Sequence, residues 1–221
     1  IELKPDYAEA YIIRGNVKRG LKDYTGAIAD YDKAIELNPN YYIAYIFRGI
    51  VKKNLKDYSG AKADYNKANE LSPGDADEYI NRGNVKYELK DYTGAIADYN
   101  KAIELKSDYA EAYNNRGNVK RELKDYTGAI ADYDKAIELN PDDATAFYNK
   151  GIVKNKLKDY TGAIADYDKA IELKSDYAEA YIIRGIVKEN LKDYSGAIAD
   201  YNKAIELKPA SSRSYNNRGL A

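Results

Sequence analysis

The stretch Leu21–Leu37, LKDYTGAIADYDKAIEL, returns with few changes at Leu55, Leu89, Leu123, Leu157 and Leu191, each time 34 residues on. A fixed period of that size marks a helical solenoid, in which no unit can bury its apolar face alone and neighbours must stack. The reading predicts an all-α chain of stacked helix pairs. Within the stretch Asp23 predicts an N-cap, a B helix from about Tyr24 to Leu37 follows, and Pro39 stands just past its end. Pro73, Pro141 and Pro209 recur in that place, while Ser107 and Ser175 replace it in the other two copies.

Working outward, an A helix is expected from about Ala8 to Gly20. Asp6 with Glu9 predicts a capping box at its start, and Asp108/Glu111 and Asp176/Glu179 repeat the pattern. The period divides the chain into pairs at 8–41, 42–75, 76–109, 110–143, 144–177 and 178–211. Residues 1–7 read as the tail of a preceding pair and 212–221 as part of a seventh A helix, so the chain, which starts at Ile1, reads as an excerpt. Neither end has the polar capping helix that arrays use for solubility, and both ends are expected to be adhesive.

Composition removes several functions. Lys+Arg 35 against Asp+Glu 36 leaves a net charge of -1, without the cationic excess that a nucleic-acid or anionic-membrane surface needs. With no Cys and no His, disulfides, thiolate or imidazole metal sites and nucleophile–histidine dyads are excluded. No apolar run reaches the length of a membrane-spanning helix, so no membrane insertion is expected. Acidic pairs such as Asp30/Asp32 lie two apart on a helix and point to different faces, and Gly26 stands alone in its helix with no phosphate loop around it. No catalytic residue and no cofactor is assigned.

Within a pair the bulk of Tyr11, Tyr24 and Tyr31 is set against the small Gly15, Ala27 and Ala34, which suits two closely packed helices. Gly15 costs roughly 1 kcal/mol of helix propensity, and close approach of helix B is the expected compensation. The order Tyr11, Gly15, Tyr24, Ala27, Tyr31, Ala34, Pro39 resembles the tetratricopeptide repeat signature, with Tyr in place of the usual Trp. The resemblance covers essentially the whole chain and implies a right-handed α-solenoid superhelix whose concave face, lined by A helices, holds extended peptides. Arg14 departs from the family's leucine; its recurrence beside Asp30 predicts an ion pair between the two helices of each pair. The second pair departs further, with Lys62 and Asn69 for Ile28 and Ile35 and with Gly74 in the turn, which predicts a looser or rerouted junction to the third.

The A-helix positions not assigned to internal packing are the candidate peptide site. They are apolar in the first two pairs (Ile12, Ile13, Ile46, Phe47, Ile50), amide-rich in the middle (Asn81, Asn84, Asn114, Asn115, Asn118, Asn149), and apolar again in the sixth (Ile182, Ile183, Ile186). Asn81, Asn115 and Asn149 keep the 34-residue spacing and predict a ladder whose amides both donate to and accept from a peptide backbone. Simple solvation of exposed asparagines is the alternative. Similar ladders bind peptide main chain in the repeat domain of the transferase that adds N-acetylglucosamine to nuclear and cytoplasmic proteins. The carboxylate clamp of chaperone-binding relatives is not matched, since Glu9, Asp77, Glu111 and Glu179 stand where a lysine is needed. The partner expected is thus a peptide or protein segment in the groove, flanked by Ile/Phe patches. The rival is a structural scaffold self-associating head to tail through its uncapped ends. Near-identical units also fit recent duplication without an evolved ligand.

Overall fold

The computed structural model describes residues 7–209, so the tail expected over 1–6, the partial helix over 212–221 and the Asp6 cap lie outside it. The described residues form two compact units, and all their regular structure is helical. The first holds α1 (Ala8–Gly20), α2 (Tyr24–Leu37), α3 (Tyr42–Asn54), α4 (Tyr58–Leu71), α5 (Ala76–Glu88) and α6 (Tyr92–Leu105). The second holds α7 (Ala110–Glu122), α8 (Tyr126–Leu139), α9 (Ala144–Lys156), α10 (Tyr160–Leu173), α11 (Ala178–Asn190) and α12 (Tyr194–Leu207). Odd and even helices pack as pairs, and within each unit a pair packs on the next through its even helix.

The turn inside each pair follows from local chemistry. Lys22 takes φ 62°, its N–H donates to the Arg19 carbonyl and the Asp23 N–H donates to the Lys18 carbonyl. This closes α1 in a Schellman motif, with a lysine in the left-handed region where glycine is usual. Asp23 then caps α2 by accepting from the Gly26 N–H at 2.9 Å. Every even helix begins this way. The odd helices differ. Asp75 and Asp143 cap α5 and α9, but α7 and α11 begin at Tyr109 and Tyr177 without a side-chain cap. The capping boxes expected at Asp108 and Asp176 are therefore absent: each aspartate lies one residue too early to reach the first free N–H groups.

Packing within a pair is of large against small, as expected. A Cβ built on Gly15 would lie 2.6 Å from Tyr31 Cε1, so only glycine admits the ring, which is fully buried. The predicted ion pair is also present. Arg14 donates to both Asp30 oxygens, at 2.9 and 2.5 Å, and Lys18 Nζ lies 2.9 Å from Oδ2. Burial alone would raise the Asp30 carboxyl, but the hydrogen bonds from Arg14 and Lys18 outweigh it and hold the group below its ordinary value. Equivalent pairs form at Arg48–Asp64, Arg82–Asp98, Arg116–Asp132, Lys150–Asp166 and Arg184–Asp200.

Of the looser or rerouted junction expected between α4 and α5, the rerouting is not found. Both helices keep the lengths of their counterparts, and Gly74 absorbs the turn at φ 126°. What changes is its interior, which turns polar.

Candidate functional site

The candidate residues separate once their contacts are visible. Asn84 accepts from the Tyr99 hydroxyl at 2.7 Å and Asn118 from the Tyr133 hydroxyl at 2.9 Å, as Asn16 does from Tyr31. Each of these amides thereby satisfies a phenol that would otherwise be buried without a partner. Where isoleucine replaces the asparagine, at Ile50 and Ile152, the Tyr65 and Tyr167 hydroxyls have no hydrogen-bond partner among the described residues. Burial pushes both phenols above their ordinary value. Asn84 and Asn118 thus carry an internal packing role that the sequence reading missed.

The expected apolar patches are corrected in the same way. Ile12 and Ile182 are buried. Ile46 and Ile50 pack on the core of α4 and α5, Phe47 lies against Tyr31 with ring centroids 6.0 Å apart, and Ile183 packs beside Tyr148 and Tyr167. Ile186 is half-buried, and Ile13 is the candidate that presents a broad apolar surface, at 59% exposure. Ile12, Ile46, Phe47, Ile50 and Ile183 are therefore part of the clusters that join one helix pair to the next.

The ladder divides between the units. Asn81 is half-buried on α5 of the first unit. In the second, Asn149 is buried and donates through Nδ2 to Asn114 Oδ1 at 3.2 Å, an amide pair joining α9 to α7. Arg121 donates to Asn149 Oδ1 at 3.5 Å and reaches Glu122 at 3.2 Å. Asn115 remains half-buried and donates to Glu111 at 3.5 Å. The ladder positions in the second unit are therefore bonded sideways along the A helices, with Asn115 the more accessible of the two.

Two participants were not foreseen. Arg121 sits in the last turn of its A helix, at the place held elsewhere by Arg19, Lys53, Tyr87, Asn155 and Glu189. Variation of charge and size at one place in so uniform an array was the available signal. Tyr148 stands where Asn114 and Ile182 do; its ring meets Tyr177 at 4.9 Å and Tyr167 at 6.0 Å. Burial first, and the neighbouring Tyr148 second, raise the Tyr177 phenol to about 12. Among the described residues no group of three or more acidic side chains could hold a metal ion, and no helix is long and apolar enough to cross a membrane.

Comparison with family models places tetratricopeptide repeat matches at residues 8–41, 42–75 and 144–177, and TPR repeat matches at 83–120, 117–158 and 190–221. A comparison with curated proteins gave no match. Among solved structures the chain is similar to PilW, a type IV pilus biogenesis factor, at TM-score 0.86 and 17% identity over 97% of this chain and 98% of that one. It is similar to YrrB, a TPR protein with an unusual peptide-binding site, at TM-score 0.64 and 24% identity over 86% of this chain and 98% of that one. It also matches the Cut9–Hcn1 hetero-tetramer of the APC/C at TM-score 0.81 and 19% identity, over 98% of this chain but only 43% of that one. At these identities the likeness is one of fold: an all-α repeat solenoid.

Proposed function

Because the chain belongs to the tetratricopeptide repeat family, we propose that it is a protein-interaction module that holds an extended peptide along its A helices. The observation that carries the reading is the polar set on α7 and α9, where Asn115 stands half-exposed beside the Asn114–Asn149–Arg121 cluster. YrrB, with its peptide-binding site on the same fold, supports a peptide as the partner. Each unit offers one half-buried ladder amide to a peptide backbone, Asn81 in the first and, in the second, Asn115, which also donates to Glu111. Two such contacts at about 0.5–1.5 kcal/mol per hydrogen bond fall below the roughly 4–15 kcal/mol that association costs. Affinity must then come mostly from apolar side chains of the peptide on surfaces such as Ile13 and Ile186.

A peptide-display selection tests this, run on the parent and on an Asn81→Ala, Asn115→Ala variant of unchanged helicity. Asn149 and Asn114 stay untouched, since each is the other's buried partner. Peptides enriched on the parent and lost on the variant are expected. Enrichment indifferent to both substitutions would remove the asparagines from the site.

A second reading, head-to-tail self-association, is favoured by one contrast. Val51 is fully buried under α2 and Val85 under α4, but Val17 on α1 is 59% exposed. That face of α1 fits an even helix of a second copy. Light scattering that shows a monomer at the highest attainable concentration would dismiss it.

A further inference from the structure

The α4–α5 junction carries polar substitutions on both of its helices. In the first junction Ile35 of α2 and Ala44 of α3 belong to one apolar cluster. The equivalent residues one period later are Asn69 on α4 and Glu78 on α5. Glu78 is 3% exposed, and neither of its carboxyl oxygens has a hydrogen-bond partner among the described residues. Asn69 Oδ1 is likewise buried without a donor. A bond that ties other pairs together is missing as well. Arg48 reaches back to Asp32 at 2.6 Å and Arg184 to Asp168 at 2.5 Å, but here Asn66 stands in that place and Arg82 is held by Asp98 of its own pair.

We propose that the α4–α5 junction is a proton-operated hinge, closed while the Glu78 carboxyl is protonated and opened when it ionises. A protonated carboxyl needs no counter-ion in this interior and can act as a donor, the group that the buried Asn69 Oδ1, at the place of Ile35 in the first junction's cluster, lacks. An ionised one leaves a buried charge without a counter-ion, which hydration through opening relieves. Gly74, at φ 126° between the two helices, is the pivot.

The surrounding charges do not compensate. Burial and then Asp75 raise the Glu78 carboxyl to about 7, and Arg82, one turn on, lowers it less than they raise it. The neighbouring helices commit their charges elsewhere. Arg48 and Lys52 of α3 hold Asp64 of α4; Lys62 of α4 lies near Asp91, and Lys67 pairs with Glu70. On α6, Asp98 is shared by Arg82 and Lys86, and Lys101 pairs with Glu104. Tyr65 of α4 is buried and its phenol is pushed up, so it stays neutral.

The sign follows from linkage. The folded value lies above the ordinary 4.5, so closure is fully favoured below pH 4.5 and weakens as pH rises towards 7. Titration over that interval shifts the opening equilibrium on the order of 100-fold. Amide hydrogen exchange at pH 5 and pH 8, corrected for intrinsic rates, reads this directly. In the parent, protection across 58–88 is expected to fall on the order of 100-fold while α9–α12 hold theirs. In Glu78→Gln, and in Glu78→Ala, which installs the residue of Ala44, the local drop should vanish. A parent without a local drop, or one that persists in both variants, would overturn the hinge.

Discussion

The Tyr31 hydroxyl donates to Asn16 Oδ1 at 2.9 Å, and one period later the corresponding Tyr65, beside Ile50, has a buried hydroxyl with no partner among the described residues. The same ring thus occupies the same slot in two states of satisfaction. A net hydrogen bond is worth about 0.5–1.5 kcal/mol, whereas an unsatisfied buried hydroxyl is a cost. Tyr31→Phe should therefore destabilise by about 1 kcal/mol, and Tyr65→Phe or Tyr167→Phe should be neutral or stabilising. Urea unfolding followed by circular dichroism on the three single variants would show the contrast. An equal loss in all three would mean that the amide contributes nothing.

That contrast marks the limit of what the sequence reveals. The helix pairs, the Asp23 cap and the Arg14–Asp30 ion pair were legible because each rests on a fixed spacing with one obvious chemical partner. The service of Asn84 to Tyr99 was not. The two are 15 residues apart across a turn, and helical period alone does not say which side of an A helix meets its own B helix. Ile12 and Ile46 were misread for a related reason. An A helix in a stack is buried by its partner and by its neighbours in the array, so one apolar stripe underestimates what is covered. Glu78 stood in the sequence as a departure from alanine, but only the structure showed its carboxyl without a partner.

The ion pairs are unequal within one side chain's reach. Arg48 holds Asp64, whose side chain is 4% exposed, and Asp32, whose side chain is 54% exposed. Loss of one member of a buried pair strands the other, at a cost of about 3–5 kcal/mol, while an exposed pair contributes about 0–1 kcal/mol. Asp64→Asn is expected to lower stability by roughly 3 kcal/mol and Asp32→Asn by less than 1 kcal/mol. Asn66, in the place of Asp32, shows that the chain already tolerates the milder change. Thermal melts of both variants decide it; comparable losses would show that the inter-pair contact matters as much as the buried one.

Glycine in these helices serves two different ends, and substitution by alanine separates them. A Cβ on Gly151 would lie 2.6 Å from Tyr167 Cε1, with two further ring atoms within 3.0 Å. The ring is fully buried and cannot retreat without disturbing Ala163 and Val187 beside it. Overpacking of this kind costs typically about 1–3 kcal/mol, which exceeds the roughly 1 kcal/mol that alanine gains in helix propensity. Gly20, by contrast, ends α1 with nothing within 4 Å of the new carbon. Gly151→Ala should lower the melting temperature and Gly20→Ala should raise it slightly. If Gly151→Ala were also stabilising, the close approach of α9 and α10 would have to be looser than these distances require.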